Sequence, residues 1–382
     1  MKKTLLFFVF LLFSCSPIGT LYNDFGDLKE QQTYTAINEP IRIYIDRHGD
    51  VYPEFKINSD LFRSNGSILE DVYIKDHTTL LNVFKGENIP YETKKTTAEN
   101  ITALQLHLDQ KYSNLIDKAS GTKTIIYLIH GYNNNADRAS IAFSRLRVAV
   151  TQLKPNMNFQ FVEVYWDGLN NGDKIFNTVK IWNNAQFSAA RAGLGLRRIL
   201  NKTKAEHSYV ITHSLGAAVI IEALFNAKRF KDSFYVEDSL GIEIKQLHNN
   251  EIYNSPSSRF TVGMLTPAIP GKNVFQDYYQ RTVKGKDIQE ITVPYQFING
   301  FNEYDIVTTK WIFSKYVGAT TLSCNEEEHE KVRDFFSGNT SIYDRVVFSK
   351  SHGNKQSSHA VRDYIENENF PLFITALFKS SL

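Results

Sequence analysis

The residues best placed to do chemistry lie in Val210-Ile-Thr-His-Ser-Leu-Gly-Ala-Ala218. A β-branched run passes through Ser214 directly into a stretch rich in Ala, Ile and Leu, with Gly216, Ala217 and Ala218 close behind the serine. Small residues are needed wherever a strand turns sharply into a helix, because the two backbones approach closely there. A serine on such a turn holds its hydroxyl clear of the sheet, and the N–H groups of the helix N-terminus point at that oxygen and at any anion formed beside it. The chemistry this predicts is nucleophilic attack by an activated hydroxyl. The plainer alternative is a serine that caps the helix.

Three other segments carry groups that could work with it. Leu128-Ile-His-Gly-Tyr-Asn-Asn134 closes an apolar run with His130-Gly131, where a glycine lets backbone approach closely. Tyr295 to Val307 ends a strand-like stretch in a polar loop bearing Glu303 and Asp305. His352 and His359 both follow the last strand-like run.

The elements that must position these groups follow from the hydropathy pattern. Ile41–Ile45 alternates as a strand, and Val51–Ile57 is expected to return as its hairpin partner across His48-Gly49-Asp50. Signals are weak from Asn58 to Asn100, after which Thr102–Ala119 has helical spacing at Leu104, Leu108, Leu115 and Ile116. From Lys123 the rhythm is regular. Strands are predicted at 124–129, 159–166, 208–212, 260–265, 291–298 and 343–348, and helices at 137–153, 186–200, 215–228 and 360–378. Continuous apolar strands alternating with helices predict an α/β fold with a mostly parallel central sheet covered by helices on both faces. The reactive segments all fall at or just after the carboxyl ends of strands, where such sheets place their sites. Residues 230–256 interrupt the rhythm and are expected to form an insert.

Thr212-His-Ser-Leu-Gly216 resembles the G-x-S-x-G nucleophile elbow of the α/β-hydrolase superfamily, in its lipase-like and serine-esterase branch, with Thr212 standing for the first glycine. The resemblance runs from about Lys123 to the C-terminus and implies the α/β-hydrolase fold and serine ester hydrolysis. It implies Ser214 as nucleophile, the backbone amides of Tyr132 and Leu215 as the oxyanion hole, Asp305 as the acid with Glu303 as runner-up, and His359 as the base in preference to His352. The chain order Ser214, Asp305, His359 is the one this superfamily uses. His130 is then expected to be structural. Tyr165-Trp-Asp-Gly168 is expected either to wall the substrate pocket or to be core, and Thr266-Pro-Ala-Ile-Pro270 to be a backbone turn without a chemical role. The resemblance implies no cofactor and no metal. An acyltransferase using the same triad, or a binding protein that keeps the fold without the chemistry, are the alternatives.

Composition bounds the rest. The chain has 382 residues, 42% of them apolar, and a formal net charge of +2. That is enough to fill a large core, and it offers no broad basic face for nucleic acid. Lys2 and Lys3 precede an apolar run from Thr4 to Phe13 that is short for a membrane span but suits a secretory leader. Leu12-Phe-Ser-Cys15 resembles the bacterial lipoprotein cleavage box, which implies removal of residues 1–14, lipid on Cys15, a tether over 15–40 and a domain over 41–382. The expected location is the cell envelope, periplasmic or on the outer surface, and the expected substrate a small-molecule or lipid ester. With Cys15 acylated, Cys324 has no partner for a disulfide.

Overall fold

The computed structural model describes residues 39–53, 77–169, 175–224, 258–271, 275, 295–309, 318–336 and 342–379. The leader, Cys15 and the insert at 230–256 lie outside the described residues. Among those described, no helix is long and apolar enough to cross a membrane.

Among the described residues eight strands form one sheet in the order β2-β1-β4-β3-β5-β6-β7-β8. They are β1 (Ile41–Ile45), β2 (Val51–Tyr52), β3 (Thr124–Ile129), β4 (Phe159–Trp166), β5 (His207–His213), β6 (Arg259–Leu265), β7 (Tyr295–Phe301) and β8 (Tyr343–Val347). Every neighbouring pair is parallel except the edge hairpin β1–β2. The mostly parallel sheet with its helices is the α/β-hydrolase fold. The N-terminal hairpin is part of this sheet and not a separate cap, since β1 runs parallel to β4 with Ile45 opposite Trp166.

Coverage on both faces follows from burial. All residues of β4 are buried although their side chains alternate between two faces. Each large aliphatic or aromatic side chain so enclosed contributes roughly 1.5–3 kcal/mol. The one carboxylate in β4, Glu163, is answered by Arg147 at 3.1 Å, Arg42 at 3.4 Å and the Tyr165 hydroxyl at 2.9 Å, as a buried charge requires.

The helices are α1 (His77–Gly86), α2 (Thr97–Ser120), α3 (Ala136–Leu153), α4 (Ile175–Leu200), α5 (Gly216–Leu224), α6 (Glu326–Phe335), α7 (Val361–Ile365) and α8 (Phe370–Leu377). α4 packs against both α2 and α5, while α3 packs against α7 and α8. α1 lies where the sequence signal is weak. α2 starts five residues before the apolar spacing does, because Thr96 and Glu99 form a capping box. The expected single helix over 360–378 is two, α7 and α8. Pro371 in the first turn of α8 has no N–H to continue a helix. Between the two helices the Asn367 side chain turns away to the Lys350 carbonyl at 2.7 Å and to Gln356 at 2.9 Å. β9 (Lys350–Ser351) and β10 (Asn354–Lys355) form a small separate hairpin.

Register brings the reactive segments into a row. Ile129 is opposite Thr212, His213 opposite Leu265, and Leu265 opposite Gly300. The residues that follow each of these leave the same edge of the sheet side by side.

Candidate active site

Ser214 sits on the turn between β5 and α5 with φ at +54°, a left-handed conformation that costs a non-glycine residue energy and that functional turns hold in place. Three backbone bonds fix it. The Ser214 amide donates to Leu265 O at 3.0 Å, its carbonyl accepts from Ala268 N at 3.1 Å, and it also accepts from Ala217 N at 3.2 Å. The small residues behind it are compulsory. A Cβ on Gly216 would stand 2.5 Å from the His130 carbonyl oxygen and 2.7 Å from that of Ile129. Thr212, where a glycine would be usual, is accommodated within the sheet with no exposure.

The loop after β3 presses directly on this elbow. A Cβ on Gly131 would come within 2.8 Å of the Ser214 Cβ, so only glycine permits the approach. Next to it, the backbone amides of Tyr132 and Leu215 have no hydrogen-bond partner among the described residues. His130 anchors the loop from below. Its Nδ1–H donates to Gly131 O at 2.7 Å, its Nε2 accepts from Trp166 N at 3.2 Å, and its ring stacks on the Trp166 indole. The two bonds select the neutral Nδ1–H tautomer, and burial pushes its pKa down to about 4. Trp166 is fully buried and donates through Nε1 to His130 O at 2.7 Å. Of its two expected roles, it takes that of core.

Asp305 and His359, separated by 54 positions in the chain, meet in a hydrogen bond of 2.7 Å between Nδ1 and Oδ2. The carboxylate is fully buried and unusually well supplied. Oδ2 also accepts from the Tyr364 hydroxyl at 2.6 Å and the Thr266 hydroxyl at 3.1 Å. Oδ1 accepts from the backbone amides of Val307 at 2.9 Å and Thr308 at 3.0 Å. Burial would raise its pKa, but the adjacent His359 and these donors outweigh burial and bring it down to about 2. Asp305 is therefore ionised at neutral pH and fixes the imidazole with Nε2 directed away from it. Glu303, the runner-up, is exposed.

His213 holds His359 from the other side: its Nε2–H donates to the His359 carbonyl at 2.8 Å, with the two rings 4.7 Å apart. Burial first, and the neighbouring His359 second, push the His213 pKa down to about 3, so it stays neutral. His352 stands elsewhere, in the turn between β9 and β10, its side chain 75% exposed and 3.6 Å from Glu368.

Ser214 Oγ and His359 Nε2 are both buried and neither has a hydrogen-bond partner, so the serine–histidine bond is not made in this conformation. Catalytic bonds of this kind often close only with substrate present. A cavity of about 620 Å³ reaches His213, His359 and Tyr132 and stops short of Ser214, which is 1% exposed. Among the described residues no group of three or more His, Cys, Asp or Glu side chains is arranged to hold a metal ion.

Two further side chains hold the Asp305 carboxylate. Thr266 was expected to be backbone only, yet its hydroxyl binds Asp305. Its φ of +41°, rare for a β-branched residue, aims it there. Tyr364 follows His359 by five residues, a spacing visible in the sequence, but its bond to Asp305 is a tertiary contact.

A family model described as "Alpha/beta hydrolase of unknown function (DUF900)" matches residues 108–262, a stretch that includes Gly131, Tyr132 and Ser214 and ends before Asp305 and His359. Among curated proteins none matched the chain.

Proposed function

We propose that this chain, an α/β hydrolase, is a serine hydrolase of carboxylic esters working through Ser214, His359 and Asp305. The observation that carries this reading is the 2.7 Å bond from His359 Nδ1 to the buried Asp305 carboxylate, at the same edge of the sheet as the strained Ser214 turn. Ser214 Oγ attacks the ester carbonyl as His359 Nε2 takes its proton. The oxyanion is held by the amides of Tyr132 and Leu215, each worth about 3–4 kcal/mol where such donors have been removed from enzymes. Collapse expels the alcohol, which receives the proton from His359, and leaves an acyl-serine. Water activated by the same imidazole then hydrolyses the acyl-serine. Asp305 stays ionised throughout and stabilises the imidazolium. In the same reading residues 1–14 are a leader, Cys15 carries a lipid that tethers the domain at the cell envelope, and the substrate is a small-molecule or lipid ester.

The test is fluorophosphonate labelling of the purified protein, with the adduct mapped by mass spectrometry. An adduct on Ser214, together with ester hydrolysis that Ser214→Ala abolishes, is the expected result. A folded protein that neither labels nor turns over short acyl esters overturns the reading and leaves a binding protein. Preferential acyl transfer to an added alcohol replaces it with an acyltransferase.

A further inference from the structure

The 620 Å³ cavity beside His359 has an uneven charge. Its long wall is one face of α3, where Arg138, Ile141, Ala142 and Arg145 recur at the i, i+3, i+4, i+7 spacing that places side chains in line. The apolar pair forms the middle of that wall, and an exposed arginine stands at either end, about two turns apart. Arg362, from α7, lines it as well, although Asp363 at 3.1 Å and Glu366 at 3.9 Å answer its charge. Among the described residues that line the cavity there are three guanidinium groups and no carboxylate. Among the described residues Arg145 has no ion pair, whereas Arg138 already has an interaction of its own.

From this we infer that the ester taken by this site carries a negative charge, a carboxylate or a phosphate, which an arginine at one end of this wall, Arg138 or Arg145, binds while an apolar part of the substrate lies on Ile141 and Ala142. The inference rests on the ester-hydrolase reading and names its substrate class. Guanidinium is the side chain suited to it, since its planar fork matches both anions through two parallel N–H···O bonds. A cleft lined by one sign of charge also concentrates anionic ligands before they bind. The apolar stretch between the arginines gives the site the usual composition of a ligand pocket, a mostly hydrophobic wall with a few placed polar groups. Arg138 and Arg145 are specificity-determining in this account; they do not touch the reacting atoms.

The experiment compares two esters of equal acyl length and identical leaving group, 4-nitrophenyl hexanoate and the 4-nitrophenyl monoester of adipate. The ratio of kcat/KM values, anionic over neutral, is expected to exceed about fivefold at low salt and to fall as salt is raised. It is expected to collapse in the Arg138→Gln/Arg145→Gln double variant and to survive, reduced, in Arg138→Lys/Arg145→Lys, which keeps the charge and loses the fork. Turnover of both esters with no anionic preference, or a preference untouched by the Gln pair, overturns this inference and leaves the ester reading standing. Failure to hydrolyse either ester counts against the ester reading, and binding then decides the inference separately. Calorimetry on Ser214→Ala with N-butyl adipamate and N-butyl hexanamide should show the anion binding at least about fivefold more tightly, and equal affinity overturns the inference. Competition by a short-chain acylglycerol phosphate against the matching acylglycerol separates the sources. Inhibition by the phosphate compound supports a phosphate-bearing ester, and preference confined to the adipate pair supports a carboxylate-bearing one.

Discussion

The Tyr364 hydroxyl donates to Asp305 Oδ2 at 2.6 Å and accepts from Asn302 Nδ2 at 2.8 Å. The carboxylate that fixes His359 is thus itself fixed by the helix that His359 precedes. Tyr364→Phe keeps the ring in its buried place and deletes only the hydroxyl, and with it the bonds to Asp305 and Asn302. The expected cost is about 1.5–3 kcal/mol of unfolding free energy, the range for a hydrogen bond to a charged group, with a fall in kcat larger than any change in KM. Denaturant titration and steady-state kinetics read both. A stability loss below about 0.5 kcal/mol, the scale of an ordinary surface substitution, would show that Tyr364 does not hold the acid.

The two histidines after β8 make opposite predictions. His352 is on an exposed hairpin, and His352→Ala should leave ester hydrolysis and thermal stability unchanged. His359→Ala removes the imidazole bonded to Asp305 and should lower kcat by about 10⁴-fold or more. Equal losses in the two variants would refute the assignment.

Glycine at 131 and 216 is a geometric requirement. Gly216→Ala drives a methyl against two backbone carbonyl oxygens that cannot swing aside, and should destabilise the protein by about 1–3 kcal/mol. Gly131→Ala meets the Ser214 side chain instead. It should displace the Tyr132 amide and cost about 10²-fold in kcat, with a smaller effect on stability. The comparison is made by unfolding curves and single-turnover rates; an active Gly131→Ala enzyme would rule out this loop as half of the oxyanion hole.

Acid should weaken the fold in two stages. His130 and His213 have native pKa values pushed down to about 4 and about 3, below the ordinary 6.5, because burial disfavours the imidazolium. Their contribution is present in full above pH 6.5 and is lost as pH falls toward those values, at most about 1.4 kcal/mol per pH unit for each group. Asp305, brought from 3.8 to about 2, adds stability that is complete above the unfolded value and disappears below it. Urea unfolding should therefore show nearly constant stability from pH 7 to 8 and a decline that sets in at about pH 6.5. A flat profile between pH 6.5 and 5 would mean that these imidazoles are not buried neutral.

Much of the site was legible from residue types and local spacing. The elbow around Ser214, the strand ending in His130-Gly131, the alternation of apolar strands with helices and the carboxylate of Asp305 in a polar loop all express short-range rules. Strand periodicity, the small residues a tight turn demands and the polarity of a loop can each be read within about ten residues. What pairs with what could not be read that way. That β1 joins the sheet beside β4, and that Thr266 and Tyr364 converge on one carboxylate oxygen, depend on segments tens of residues apart in the chain being brought together. A sheet's register sets those meetings. Ser214, Thr266 and Asp305 become neighbours because His213 lies opposite Leu265 and Leu265 opposite Gly300, and strand pairing of that range is fixed by packing across the whole core.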